Sequence, residues 1–129
     1  MGKQSQAIVL VLPWPPALNN YFTVSRGRKI MSTKARDYRD AVAELVARKY
    51  PTPPMLAGRL KVDILATPPD KRKRDLDNLL KGPLDAMGKA GVYVDDGQID
   101  ELTITRSAMV HKGSPLRGTL TVSVSEVPA

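Results

Sequence analysis

Arg59-Leu60-Lys61-Val62-Asp63-Ile64-Leu65-Ala66 places Leu60, Val62, Ile64 and Ala66 on one side of an extended chain and Arg59, Lys61 and Asp63 on the other. Successive side chains of a strand point to opposite faces, so this stretch reads as a strand with one face against a core. Toward the C-terminus, a loop over Thr67–Arg74 precedes a helix over roughly Asn78–Lys89, with Leu80, Leu84 and Met87 on its inner side. Pro83 cannot donate a backbone hydrogen bond and crowds the carbonyl four residues back, which predicts a kink or a late start there. Toward the N-terminus, Pro51–Gly58 is loop, and before it Ala35, Tyr38, Val42, Leu45 and Val46 form the apolar stripe of an amphipathic helix. Ser32 or Thr33 can cap that helix, and Tyr50-Pro51 ends it.

Tyr21–Val24 and Arg28–Met31 flank Ser25-Arg26-Gly27, a connection of hairpin length. Ala7–Leu12 is a continuous apolar run, which suits a strand covered on both faces; Pro13-Trp14-Pro15-Pro16 stops it and Asn19-Asn20 marks a turn. Val92–Val94 reads as a short strand before the turn Asp95-Asp96-Gly97. Leu102–Val110 and Thr119–Val127 read as two further strands joined by a turn at Lys112–Pro115, with Leu120, Val122 and Val124 facing in. The order is β, hairpin, α, β, α, β, β, β. It predicts a single α+β domain, a mixed sheet with two helices packed on it.

At 129 residues the chain has the length of one domain. It is long enough to bury about two-thirds of the surface its unfolded form exposes. It contains no cysteine, which excludes disulfides, thiolate zinc sites and cysteine nucleophiles, and a reducing cytoplasm is its natural home. Met1-Gly2-Lys3-Gln4-Ser5 lacks the pattern of a signal peptide, and no run approaches the ~20 apolar residues that span a bilayer, so a soluble protein with no membrane partner is expected. Twenty Lys and Arg against 13 Asp and Glu give a net charge of +7. That balance points to a polyanionic partner, nucleic acid ahead of membrane surfaces or acidic proteins.

The chemistry concentrates in Lys71-Arg72-Lys73-Arg74-Asp75-Leu76-Asp77-Asn78-Leu79-Leu80-Lys81. Four cations run into two carboxylates one residue apart. In extended backbone Asp75 and Asp77 point to the same side and can reach one ion. Lys81 follows Asp77 by four, which on a helix would put both on one face. Mg²⁺ wants oxygen ligands, and two or three aspartates converging from separate segments meet that demand. Such an ion polarises a phosphodiester and lowers the pKa of an attacking water. The other reading is structural: Asp77 or Asn78 caps a helix, the acids pair with Arg72 or Arg74, and Asp95-Asp96-Gly97 is only a turn. The basic run next to these acids suits phosphate contact.

Arg74–Lys81 (R-D-L-D-N-L-L-K), Leu84–Met87 (L-D-A-M) and Lys89–Gln98 (K-A-G-V-Y-V-D-D-G-Q) together resemble the central motif of the RusA family of Holliday junction resolvases. Leu12–Asn20 (L-P-W-P-P-x-x-N-N), the hairpin tip Ser25–Arg28 (S-R-G-R) and Tyr38–Val42 (Y-R-D-A-V) resemble it as well, so the match runs from about Val9 to Val124. The resemblance implies a RusA-like fold and a homodimeric, Mg²⁺-dependent endodeoxyribonuclease, with Mn²⁺ able to substitute. It also implies action on DNA four-way junctions during recombination and repair, and a bacterial, phage or prophage origin. Carried over by motif position, it makes Asp75, Asp77 and Asp96 the metal-binding carboxylates and Lys81 the catalytic lysine. Asp95 and Asn78 become supporting residues, and Gly82-Pro83 is a departure from the unbroken helix expected there. Lys71, Arg72, Lys73 and Arg74, with Arg26, Arg28 and Lys29 of the hairpin, are the candidate DNA contacts. A non-catalytic branched-DNA-binding protein and a metal-dependent nuclease for flaps, RNA or linear duplex are the competing functions.

Among other residues, His111 is the only histidine and cannot build a His-rich metal site. Trp14 reads as an anchor for the N-terminal strand, with base stacking as its alternative. Tyr21 and Phe22 border the cationic hairpin and are candidates for base contact. Lys34, Arg36, Arg39, Arg48 and Lys49 read as a solvated helix face, some of them supplementing phosphate binding.

Overall fold

The computed structural model describes residues 7–109 and 117–128. The alternating segment becomes an interior strand, β4 (Leu60–Thr67), in a four-stranded sheet. β1 (Ala7–Pro13), β5 (Ile99–Arg106) and β6 (Thr119–Glu126) complete that sheet in the order β1-β6-β4-β5. β4 runs parallel to β5 and antiparallel to β6, and β6 runs antiparallel to β1, so the sheet is mixed. A parallel neighbour requires a crossover; the chain between β4 and β5 makes it through α2 (Lys81–Lys89). Leu60, Val62, Ile64 and Ala66 are buried, as the alternation demands.

α1 (Thr33–Lys49) is capped by Ser32, whose Oγ accepts from the Ala35 amide at 3.1 Å. Its stripe of Ala35, Tyr38, Val42 and Val46 is buried, with Leu45 at the margin. α1 and α2 share one hydrophobic core with the inner residues of β1, β4 and β6. The expected late start of the second helix is what the chain adopts. A separate 3₁₀ turn over Leu76–Leu79 comes first, and Gly82 and Pro83 lie in the opening turn of α2. An amide there has no intrahelical acceptor to lose, so proline is tolerated. Gly82 serves packing: a Cβ at that position would lie 3.2 Å from Pro15 Cβ and 3.6 Å from Tyr38 Cε2.

Three expectations change. β1 is not covered on both faces. Its Ile8, Leu10 and Leu12 are buried, but Val9 and Val11 are 44% and 53% exposed, because they lie on the face of the sheet away from the core shared with the helices. Val92–Val94 forms no strand: Tyr93 makes a lone bridge to Leu56 and anchors by donating from Oη to the Leu84 carbonyl at 2.5 Å. β5 begins three residues before the expected Leu102 and ends at Arg106. The expected turn at Lys112–Pro115, and His111 with it, lie outside the described residues.

Among the described residues, β2 (Phe22–Ser25) and β3 (Arg28–Met31) pair only with each other. Ser25 pairs with Arg28 across a two-residue turn, Arg26 at φ 53° and Gly27 at φ 74°. Positive φ at both central positions is the turn geometry that matches the twist of a hairpin.

Candidate active site

The chain leaves β4 through a loop in which Asp70 organises the basic run. Asp70 Oδ1 accepts from Arg74 Nη1 at 2.7 Å and from the Arg72 amide at 2.9 Å, and Oδ2 accepts from Arg72 Nε at 3.2 Å. These bonds, the Arg74 one foremost, hold the Asp70 carboxyl well below the ordinary carboxylate range. The Arg74 guanidinium also lies 5.5 Å from the centre of the Trp14 ring, and its backbone carbonyl accepts from Arg106. The four cations therefore divide. Arg72 and Arg74 are tied to Asp70, whereas Lys71 and Lys73 are exposed with no partner among the described residues. Asp70, two and four residues ahead of the arginines, was the signal for this division.

Asp75 is extended (φ −87°, ψ 129°) at the head of the 3₁₀ turn, and its side chain makes no capping bond. Asp77 lies inside that turn, so the side-by-side geometry of an extended pair is not retained. Lys81 likewise opens α2 rather than continuing a helix shared with Asp77. Both carboxylates are exposed and free of hydrogen bonds and ion pairs among the described residues, which rules against the cap-and-salt-bridge reading for their side chains. Lys81 is exposed, its Nζ 5.9 Å from the centre of the Tyr21 ring.

At the second acidic segment the two aspartates separate in role. Asp95 caps a 3₁₀ turn over Asp96–Gln98: its Oδ2 accepts from the Gly97 amide at 2.9 Å, and its own amide donates to Gln98 Oε1 at 2.7 Å. Gln98 Nε2 in turn donates to the carbonyls of Leu56 and Gly58 at 2.9 and 2.8 Å. Asp95 is thus committed to the turn, and Asp96 is left exposed without a partner among the described residues.

Asp75, Asn78, Lys73 and Arg74 border one cavity of about 420 Å³. Asp96 borders another of about 240 Å³, with Asp85, Asp95 and Lys89. Among the described residues no three acidic or histidine side chains gather within reach of one ion. The donor type fits a hard cation, since three exposed carboxylates lack protein partners, but within one chain they do not converge.

Asp85, in the L-D-A-M segment, is a residue the sequence reading gave no role. Its Oδ2 accepts from Tyr21 Oη at 2.5 Å and from Arg39 Nη2 at 2.9 Å. Burial works to raise the Asp85 pKa, but these bonds and the charges of Arg39 and Lys81 outweigh it and hold the carboxyl below its ordinary value. Tyr21 is pushed up to about 12 by burial and by Asp85, so its hydroxyl stays a donor. Tyr21 is 2% exposed, which removes it from base contact. The cluster fixes α1, α2 and the start of the hairpin around Lys81. Arg39 accordingly belongs to this cluster and not to a solvated face, while Arg48 pairs with Glu44 and Lys49 donates to the Val9 carbonyl. Trp14 packs against the core, as its anchoring role requires. Phe22 lies under Lys29, whose Nζ is 4.3 Å from the ring centre; Arg26, Arg28 and Lys29 are exposed on the hairpin.

Residues 13–124 match the family model described as Endodeoxyribonuclease RusA. The chain belongs to the RusA family. Over 112 residues it is 39% identical to the crossover junction endodeoxyribonuclease RusA of Escherichia coli K12, spanning 87% of this chain and 92% of that one. The protein of the same name from Enterobacteria phage 82 is 39% identical over the same shares. That of phage HK97 is 38% identical over 80% of this chain and 85% of its own. As a RusA-family member the chain is an endodeoxyribonuclease with an α+β fold, and the matched span contains both acidic segments, Lys81 and the basic loop.

Proposed function

We propose that this RusA-family nuclease resolves four-way DNA junctions by paired, metal-dependent nicks during recombination and repair, acting as a homodimer in the cytoplasm of a bacterial cell or phage-infected host. The observation that carries the reading is the trio Asp75, Asp77 and Asp96: exposed carboxylates with no protein partner among the described residues, in a chain akin to crossover junction endodeoxyribonucleases. Mg²⁺ is the proposed ion, with Mn²⁺ as a substitute. Mg²⁺ typically takes one or two protein carboxylates and fills its shell with substrate phosphate and water. Asp75 and Asp77 start that site, and Asp96 joins it when DNA or the second subunit brings it within reach. Lys81, held beside the Asp85 cluster, balances charge at the scissile phosphate. Lys71 and Lys73, with the hairpin cations, grip the flanking backbone. A two-fold dimer places one such site on each of two symmetry-related strands of the junction.

The test is cleavage of an end-labelled synthetic four-way junction with Mg²⁺, with Mn²⁺ or with EDTA, beside linear duplex of the same sequence. Symmetric, metal-dependent nicks restricted to the junction are expected. Binding with no cutting in either metal would overturn the cleavage reading and leave a junction-binding protein without catalysis. Equal cutting of flaps, RNA or linear duplex would replace the resolvase reading with a less selective nuclease.

A further inference from the structure

The cavity of about 420 Å³ beside Asp75 has a composition that phosphate binding does not explain. Its lining includes Trp14, Pro15 and Leu79. Asn19 and Asn78 line it as well, and the side-chain amide of neither has a partner among the described residues. Two cations complete it: Arg74, which is paired with Asp70, and Lys73, which has no partner among the described residues. A site for phosphate alone would show cations and backbone amides and would have no use for an indole and two carboxamides. Apolar walls with hydrogen-bonding groups aimed at an edge are how proteins hold a base taken out of its stack. The volume falls at the lower end of the range for small-ligand sites, which suits one base and not a base pair. We propose that this cavity receives a single unpaired nucleobase from the crossover of the junction, read by Asn19 and Asn78, with its phosphate drawn to Lys73 and so brought near Asp75.

The chemistry supports the placement. A carboxamide can both donate to and accept from a base edge, as asparagine does with adenine, so two of them can distinguish bases. Unstacking is least unfavourable where a base has already lost its neighbour, which is the condition at a crossover and not within continuous duplex. Occupation of the cavity would therefore couple nucleotide identity and branch recognition to the position of the phosphodiester at Asp75. The inference rests on the junction-cleavage reading above.

The test uses the whole chain and a panel of four-way junctions identical except for the base at each position flanking the nick, together with an abasic site at those positions. The parent is expected to favour one base at one flanking position by roughly tenfold, the scale of one good amide–base pairing, and to lose that advantage on the abasic junction. Asn19→Ala and Asn78→Ala should bring the rates for the four bases toward equality, with melting temperatures confirming that both variants fold. Asn19 is exposed, so its truncation leaves the core intact. A preference unchanged in both variants, or equal parental rates for all four bases and the abasic site, overturns the base cavity and leaves the resolvase standing. Failure of the parent to cut any junction overturns both.

Discussion

Asp85 presents a single oxygen to two donors from separate elements, Tyr21 Oη at 2.5 Å and Arg39 Nη2 at 2.9 Å, while Arg39 Nε is buried with no partner among the described residues. Asp85→Asn would leave the Arg39 guanidinium without its counter-charge in a half-buried place. A loss of about 1–2 kcal/mol is expected, since charge-assisted hydrogen bonds contribute on that scale, and the melting temperature should fall by roughly 4–8 °C. The pH dependence has a definite sign. The native Asp85 pKa lies below its ordinary value, so the stabilisation is present above the unfolded-state value near ~3.9 and is lost as pH falls through the native one. The gap in melting temperature between parent and variant should thus be full at neutral pH and close in acid below about pH 4; parallel profiles would refute it. At the acidic trio, Asp77→Asn should keep junction binding and reduce cleavage by about two orders of magnitude or more, and Lys81→Ala should slow cleavage more than it weakens binding. Undiminished cutting by Asp77→Asn would remove that residue from the proposed metal site. The acidic segments stood out as candidates through D-x-D beside a basic run and the D-D-G turn after an apolar segment, with their roles supplied by the family resemblance. The Asp85 cluster did not, because its donors lie 64 and 46 residues away in sequence and only the packing of α1 on α2 unites them.

At the level of elements, the basic loop is two structures in one. Arg72 and Arg74 close the loop on Asp70, whereas Lys71 and Lys73 have no partner among the described residues. Changing both lysines to glutamine should lower junction affinity and reduce the slope of log affinity against log salt by up to about 2, one released counterion or nearly so per lost contact. It should leave the melting temperature within the error of a surface substitution. Arg74→Gln should lower both, because Asp70 and the Trp14 face each lose a partner. Fluorescence-anisotropy titrations at several salt concentrations, paired with thermal melts, separate the cases; an unchanged slope in the lysine pair would place the DNA elsewhere. The same distinction between pattern and context governs what was readable in the elements. β4, β6 and α1 announced themselves because one face is apolar and the other is not. β1 and Val92–Val94 are apolar throughout, and such runs do not encode which residue meets water. The packing of the helices on one face of the sheet decides which β1 residues meet water, and the Tyr93 hydroxyl bond shows the second segment as a docked loop.

For the molecule as a whole, the mixed sheet with two helices followed from the order of periodic segments, but the proposed homodimer has no counterpart in the periodicity of one chain. The proposed junction substrate supplies the constraint instead. Productive resolution needs two nicks in strands of like polarity, and a two-fold dimer offers one site for each. If each subunit carries one complete site, a dimer of one parent and one Asp77→Asn subunit should cut one strand and stop. If instead the metal site draws Asp75 and Asp77 from one subunit and Asp96 from the other, the same mixed dimer still retains one intact site. A cruciform plasmid distinguishes the products, because two nicks across the junction give a linear molecule and one gives an open circle. Parent alone should yield the linear form. Equal parts of parent and Asp77→Asn, allowed to exchange subunits, should place about half the dimers in the mixed state by simple statistics and shift product toward the open circle. A third mixture separates the two site designs: Asp77→Asn with Asp96→Asn. Sites contained in one subunit would all be dead there, whereas sites shared across the dimer would restore one nick, since both substitutions then fall in the same site. Linear product that declines only in proportion to the parent added, with no open circle, would mean that the subunits do not act in pairs.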